Sequence, residues 1–178
     1  MKLFSASAIC LLVAFSFNTA MTAQNFSKLD KSPMDAAAFP ASYKDSNKKI
    51  KVVYSRPQLN DRELYDLVPL GKVWRLGANE AAEITFYKDS HFGDTPVKAG
   101  TYSLFAIRGE KTWTMILNKD LNTWGAYSYN PDQDVARYNA IASIDAESIE
   151  AFSIAFDDQE TMYLAWGTTR VSMPFKRN

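Results

Sequence analysis

The chain has 178 residues, with 20 basic and 20 acidic side chains, a single histidine and a single cysteine. That length suits one domain, and the balanced charge, without any long basic run, excludes the electrostatic footprint of a nucleic-acid or anionic-membrane binder. With so few imidazoles and thiols, a zinc, copper or non-haem iron centre is not expected, nor is any other cofactor.

In chain order, residues 1–23 read as a signal peptide. Lys2 supplies the positive start, "AICLLVAFSF" (Ala8 to Phe17) is the apolar run, and "NTAMTAQ" offers small residues for cleavage after Ala23 or Ala20. Such a run is too short to cross a hydrocarbon core, which takes ~20 residues as a helix, and no later segment is longer, so no membrane span is expected. Cys10 lies inside this run behind the bulky Ile9, which argues against lipidation. After cleavage no cysteine remains, so no disulfide can form. The expected product is an exported protein, periplasmic or secreted.

Residues 24–48 are polar, contain Pro33 and Pro40, and read as an extended lead-in. Pro33 behind Ser32 suits the first position of a brief helical turn. The domain is expected over 49–176, where period-two signals begin. "KIKVVYSRP" places Ile50, Val52, Tyr54 and Arg56 on one face, and "AEITF" does the same for Ala82, Ile84 and Phe86. "GTYSLFAIRGEKTWTMILNK" reads as a hairpin turning at 108–111, with Trp113, Met115 and Leu117 in phase. "DVARYNAIASI", "IEAFSIAF" and "TMYLAWGTTRVSMPF" supply further strands, and Phe152, Ile154 and Phe156 form the clearest buried row. The only helix of any length would lie around "NKDLNTWG". About eight strands with short polar connections imply an all-β fold, an antiparallel β-sandwich or jelly roll in one domain.

Polar side chains gather in "GKVWRLGANEAAEITF", where Arg75, Asn79, Glu80 and Glu83 lie close together. If the register of "AEITF" runs back, Glu80 points to the core side, as Arg56 does from its own strand. An inward carboxylate must be compensated, so Glu80 is expected to pair with Arg56 or Arg75. The arrangement is then either a buried Arg–Glu network or a polar pocket, with Arg56, Arg75 and Asn79 as donors and Glu80 as acceptor or catalytic base. Residues three apart on a strand face opposite ways, so Glu83 is not expected beside Glu80, and a glycosidase pair would need Asp120 or Asp134. Trp124, Tyr127 and Tyr129 surround Gly125 and offer flat platforms for a sugar or peptide, or else cover the end of the fold. "DQD" (132–134) has too few ligands for calcium, His91 reads as a solvated loop residue, and no Gly-x-Ser-x-Gly motif is present.

"YSRPQL", "GKVWRLGANEAAEITF", "VKAGTYSLFAI", "WTMILNKDLNTWGAYSY" and the closing "TRVSMPF" together resemble domain-of-unknown-function family 2911, over about Ser32 to Phe175. Family members often carry threonine where this chain has Leu76 and Ala82. The resemblance implies an exported β-sandwich of a Gram-negative envelope, typical of Bacteroidota, and implies no activity. The residues themselves favour a non-enzymatic binding module for a small polar ligand, glycan or peptide. A hydrolase or lyase using Glu80 with Arg56 or Arg75 is the alternative, and a purely structural Arg–Glu network is another.

Overall fold

The computed structural model describes residues 24–175, so the signal-peptide reading, Cys10 and the cleavage positions lie outside the described residues. Eight strands form one antiparallel sheet: β1 (Met34–Phe39), β2 (Ile50–Ser55), β3 (Val73–Trp74), β4 (Ala82–Phe86), β7 (Gly100–Arg108), β8 (Thr112–Asn118), β9 (Asp134–Phe156) and β10 (Thr161–Pro174). Their order is β1-β2-β4-β7-β8-β9-β10, with β3 also beside β7. β5 (Ser90–Phe92) and β6 (Thr95–Val97) make a separate hairpin, and the only helical pieces among the described residues are α1 (Leu64–Leu67) and a 3₁₀ turn at Pro131–Gln133.

The fold is all-β. The two layers expected as separate sheets are opposing walls of a single curled one. Its curl brings the second half of β9 back to the segment that follows β2. There Phe152 N–H donates to Pro57 O (2.9 Å) and Leu59 N–H to Glu150 O (3.1 Å), while Ile154 N–H donates to the Tyr54 hydroxyl (2.9 Å). Curling of this kind follows from the inherent twist of strands. It also leaves one interior to fill, which the alternating apolar residues do.

β9 runs unbroken through the two stretches read as separate strands. Its residues 134–141 pair with β8 and residues 141–156 with β10, and the register with β10 jumps between Ile149↔Gly167 and Ile144↔Thr169. The exposed residues in between bulge out, and Arg170 holds them by donating to Glu147 O and pairing with Asp145 at 3.5 Å. A bulge bends a strand without a turn, so the polar "DAES" run marks a bend instead of a strand end.

The inner faces follow the expected alternation. Ile50, Val52 and Tyr54, then Ala82, Ile84 and Phe86, are all buried, as are Phe152, Ile154 and Phe156. The 108–111 hairpin joins β7 to β8 with Arg108 opposite Trp113. Two local expectations give way. Residues after Pro33 form no helical turn, because β1 pairs with the edge of β2, Ala36 opposite Val53. An edge strand in need of a partner outweighs a weak cap signal. "NKDLNTWG" is irregular, with Asn122 at φ 56.

A smaller apolar cluster lies outside the main core. Ala81, Phe105 and Ile116 are buried there with Ala126 and Tyr129 against them. Residues 119–133 therefore pack on the outer face of the sheet. That second cluster positions the candidate site.

Candidate functional site

β4 pairs with the first half of β7 (Ala82↔Leu104) and β3 with the second (Trp74↔Ala106). The segment 75–81 therefore interrupts one line of pairing along β7. Leu76 is fully buried although its φ is 53°, and Asn79 has φ 60°. Left-handed backbone at a leucine costs energy and persists only where packing fixes it. At Gly77, a Cβ would stand 2.9 Å from Ser55 O, so the turn rests on the end of β2. Trp74 Nε1–H donates to Gly77 O (3.2 Å) and Ala82 N–H to Arg75 O (2.9 Å), which completes the anchoring.

The turn in turn holds the aromatic loop. Gly125 N–H donates to Asn79 O and Ala81 N–H to Thr123 O, each at 2.9 Å, and Glu80 faces Trp124 as an antiparallel bridge. The far end of the loop is fixed by Tyr129, whose hydroxyl donates to Asp134 Oδ2 (2.7 Å) and whose ring meets Phe105 edge-on. Asp134 also accepts from Arg137 Nε and Nη2 and from Asn118 Nδ2. Burial, and then the Asp134 carboxylate, push the Tyr129 hydroxyl up to about 12. Because the folded value exceeds the unfolded one, about 10, this anchor contributes fully below pH 10. Its contribution falls as the pH rises from 10 towards 12. The Tyr129 contribution to phenolate absorbance should therefore titrate near the upper value, and Asp134→Asn should lower it.

Between turn, loop and sheet edge lies a groove of about 300 Å³, lined by Met34, Val53, Glu80, Ala81, Glu83, Asn122 and Trp124. Glu83 projects outward from β4, and its Oε1 accepts the Asn122 N–H at 3.0 Å. Glu80 is exposed, and Trp124 shows 61% of its surface to solvent. Among the described residues neither carboxylate has an ion-pair partner. The lining contains no lysine, arginine or histidine.

These positions correct several expectations. Glu80 is not buried, and no Arg–Glu network includes it. The strand register stops at Ala82, and the left-handed Asn79 carries Glu80 out to the groove. That same departure from strand geometry brings Glu80 and Glu83 to one groove, where strict alternation would separate them. Arg56 instead fastens the curl: Nη1 pairs with Asp35 (3.1 Å), Nε donates to Phe152 O (3.1 Å) and Nη2 to Ser153 Oγ (2.7 Å). Three of its N–H donors are thereby used on the fold, and it does not line the groove. Arg75 is half-buried, its Nε has no hydrogen-bond partner, and it does not line the groove.

Asn79 serves the turn through its backbone. Tyr127 is exposed and does not line the groove; its ring lies over Gly125, where a Cβ would lie 2.7 Å from it. Asp134 is committed to the loop anchor, and no group of three metal-binding side chains occurs among the described residues. His91 lies half-buried in β5 with Nδ1 enclosed and without a partner, so it is not simply solvated.

The sequence alone does not mark Met34, Val53, Ala81 and Asn122 as groove residues. Asn122, two residues before Trp124, was the most accessible signal. Met34 could not be placed without knowing that the lead-in forms β1.

Neither the curated proteins nor the solved structures contain a match to this chain. Residues 33–175 match the family described as protein of unknown function (DUF2911), and with most of its length matched the chain belongs to that family.

Proposed function

We propose that this is a non-enzymatic binding module that takes a small polar ligand, glycan or peptide end in the Glu80–Glu83–Trp124 groove. The carrying observation is the convergence of two carboxylates and an exposed indole on a groove whose walls are fixed from behind. Pocket size supports the reading, since ligand sites begin at about 300 Å³. Exposed aromatic faces backed by rigid turns are suited to recognition at low entropic cost. Export belongs to the same proposal: the mature chain starts near Gln24, an intact mass that can be checked directly.

Two carboxylates in one groove also favour a second reading, a glycoside hydrolase or related lyase. Here, however, Glu80 is exposed and one Glu83 oxygen holds the loop amide of Asn122. With one carboxylate tied to the loop and the other open to solvent, the pair suits recognition better than the positioned acid and base that glycoside hydrolysis requires.

A thermal-shift screen of sugars, peptides and metabolites tests the proposal. A ligand at 100 times its Kd should stabilise the native state by about 2.7 kcal/mol, and Trp124→Ala should reduce that gain at the same ligand concentration while leaving the unliganded melt nearly unchanged. A shift that Trp124→Ala leaves undiminished would place binding elsewhere. Turnover of a glycoside that is lost in Glu80→Gln would replace the binding reading with the enzymatic one.

A further inference from the structure

The charge of the groove is unbalanced in a way that selects among ligands. Its charged lining side chains are Glu80 and Glu83, and the rest of its wall is Met34, Val53, Ala81, Asn122 and the Trp124 face. Asn122 uses its backbone N–H on Glu83 Oε1, which leaves Glu83 Oε2 and the Glu80 carboxylate as acceptors that no described cation satisfies. A ligand that complements this groove brings a positive charge, several hydrogen-bond donors and an apolar body.

We propose that the groove binds a primary ammonium group carried on a short alkyl chain. This rests on the binding reading above. The –NH₃⁺ group is a compact three-proton donor. It can donate to both carboxylates at once in charge-assisted bonds while lying against the electron-rich indole face. The methylenes then cover Met34, Val53 and Ala81, which a hydrated metal ion or an anion would leave exposed to water.

A quaternary ammonium fits less well. It has no N–H for the carboxylates, and it is usually held by a cage of several rings, whereas one indole lines this groove. A bound metal is disfavoured by the lack of a third carboxylate or imidazole at the site. The same chemistry could come from a free aliphatic amine or from a lysine side chain, and the length of the ligand separates those sources.

Calorimetric titration of the processed protein with 1,4-diaminobutane, with acetyl-Gly-Lys-Gly-amide, and with butan-1-ol and glucose as neutral probes tests this. The expected result is binding of at least one of the amines, about tenfold or more tighter than either neutral probe and weakened by added salt, as ion pairing requires. Glu80→Gln and Glu83→Gln should each weaken the amine by about fivefold, as for an exposed ion pair. Trp124→Ala should cost about fivefold and Trp124→Phe less, as for an exposed cation–π contact. Glu83→Gln keeps an acceptor for the Asn122 N–H, so the loop stays in place, and unchanged melting of that variant verifies it. Tighter binding of the tripeptide than of the diamine would identify the source as a protein lysine, and the reverse a free amine. Both results support the ammonium assignment.

Amine binding that the Glu80→Gln/Glu83→Gln double variant leaves unchanged overturns it. Glucose or butan-1-ol binding that Trp124→Ala removes, with no amine binding, overturns the ammonium assignment and leaves the binding module standing. If neither these probes nor any screened ligand binds the groove, both fail.

Discussion

Phe152→Ala should lower the stability of the fold by about 3–5 kcal/mol, the range for deleting a buried phenylalanine. Phe152 is 1% exposed and sits where the curl closes. Its ring meets Tyr54 edge-on at 5.5 Å, Trp74 at 5.0 Å and Trp166 at 5.9 Å. Its carbonyl accepts from Arg56 and its N–H donates to Pro57 O. Truncation leaves a void among rigid aromatic rings, which cannot collapse to fill it, so the upper part of the range applies. Tyr127→Ala, at an 88% exposed position, should change stability by no more than about 0.5 kcal/mol. Urea melts of the two variants check both, and equal losses would contradict the assignment of the core.

Trp74→Ala should cost a similar amount, about 3–5 kcal/mol, and should also reach the groove. Trp74 stacks on Trp166 at 5.7 Å and crosses Trp113 edge-on at 5.9 Å. Its indole N–H is the donor to Gly77 O, inside the turn that carries Asn79 and Glu80. Removing it takes away packing and turn support together, so residual folded protein should also lose ligand affinity. Trp74→Phe keeps most of the packing and isolates the hydrogen bond, for a smaller loss of about 1–3 kcal/mol. Because Trp74 and Phe152 touch, the double variant should cost less than the sum of the singles.

What was legible in the sequence was periodicity. Ile50-Val52-Tyr54, Ala82-Ile84-Phe86 and Phe152-Ile154-Phe156 all face inward as a period of two requires. That alternation defines an all-β chain but not how its strands close on one another. The bulge near Asp145 and the return of β9 to β2 depend on pairings far apart in sequence. Alternation also misled at Glu80. Left-handed backbone at Leu76 and Asn79 ends the strand register, and nothing in "RLGANE" identifies a buried leucine in that conformation. Glu80 and Trp124 both stand out in the sequence, yet their meeting across a backbone bridge, with Met34 from a strand hidden in a polar lead-in, is a tertiary fact.

The most direct measurement for the central claim is backbone-amide NMR of the processed protein, titrated with whichever ligand gives the largest melting shift. The expected perturbations centre on Val53, Ala81 to Glu83 and Asn122 to Trp124, with the Trp124 indole N–H moving most. Perturbations centred instead on the polar groove between Leu59–Leu64 and Gly167–Thr169, with the Trp124 indole unmoved, would contradict the assignment of the site.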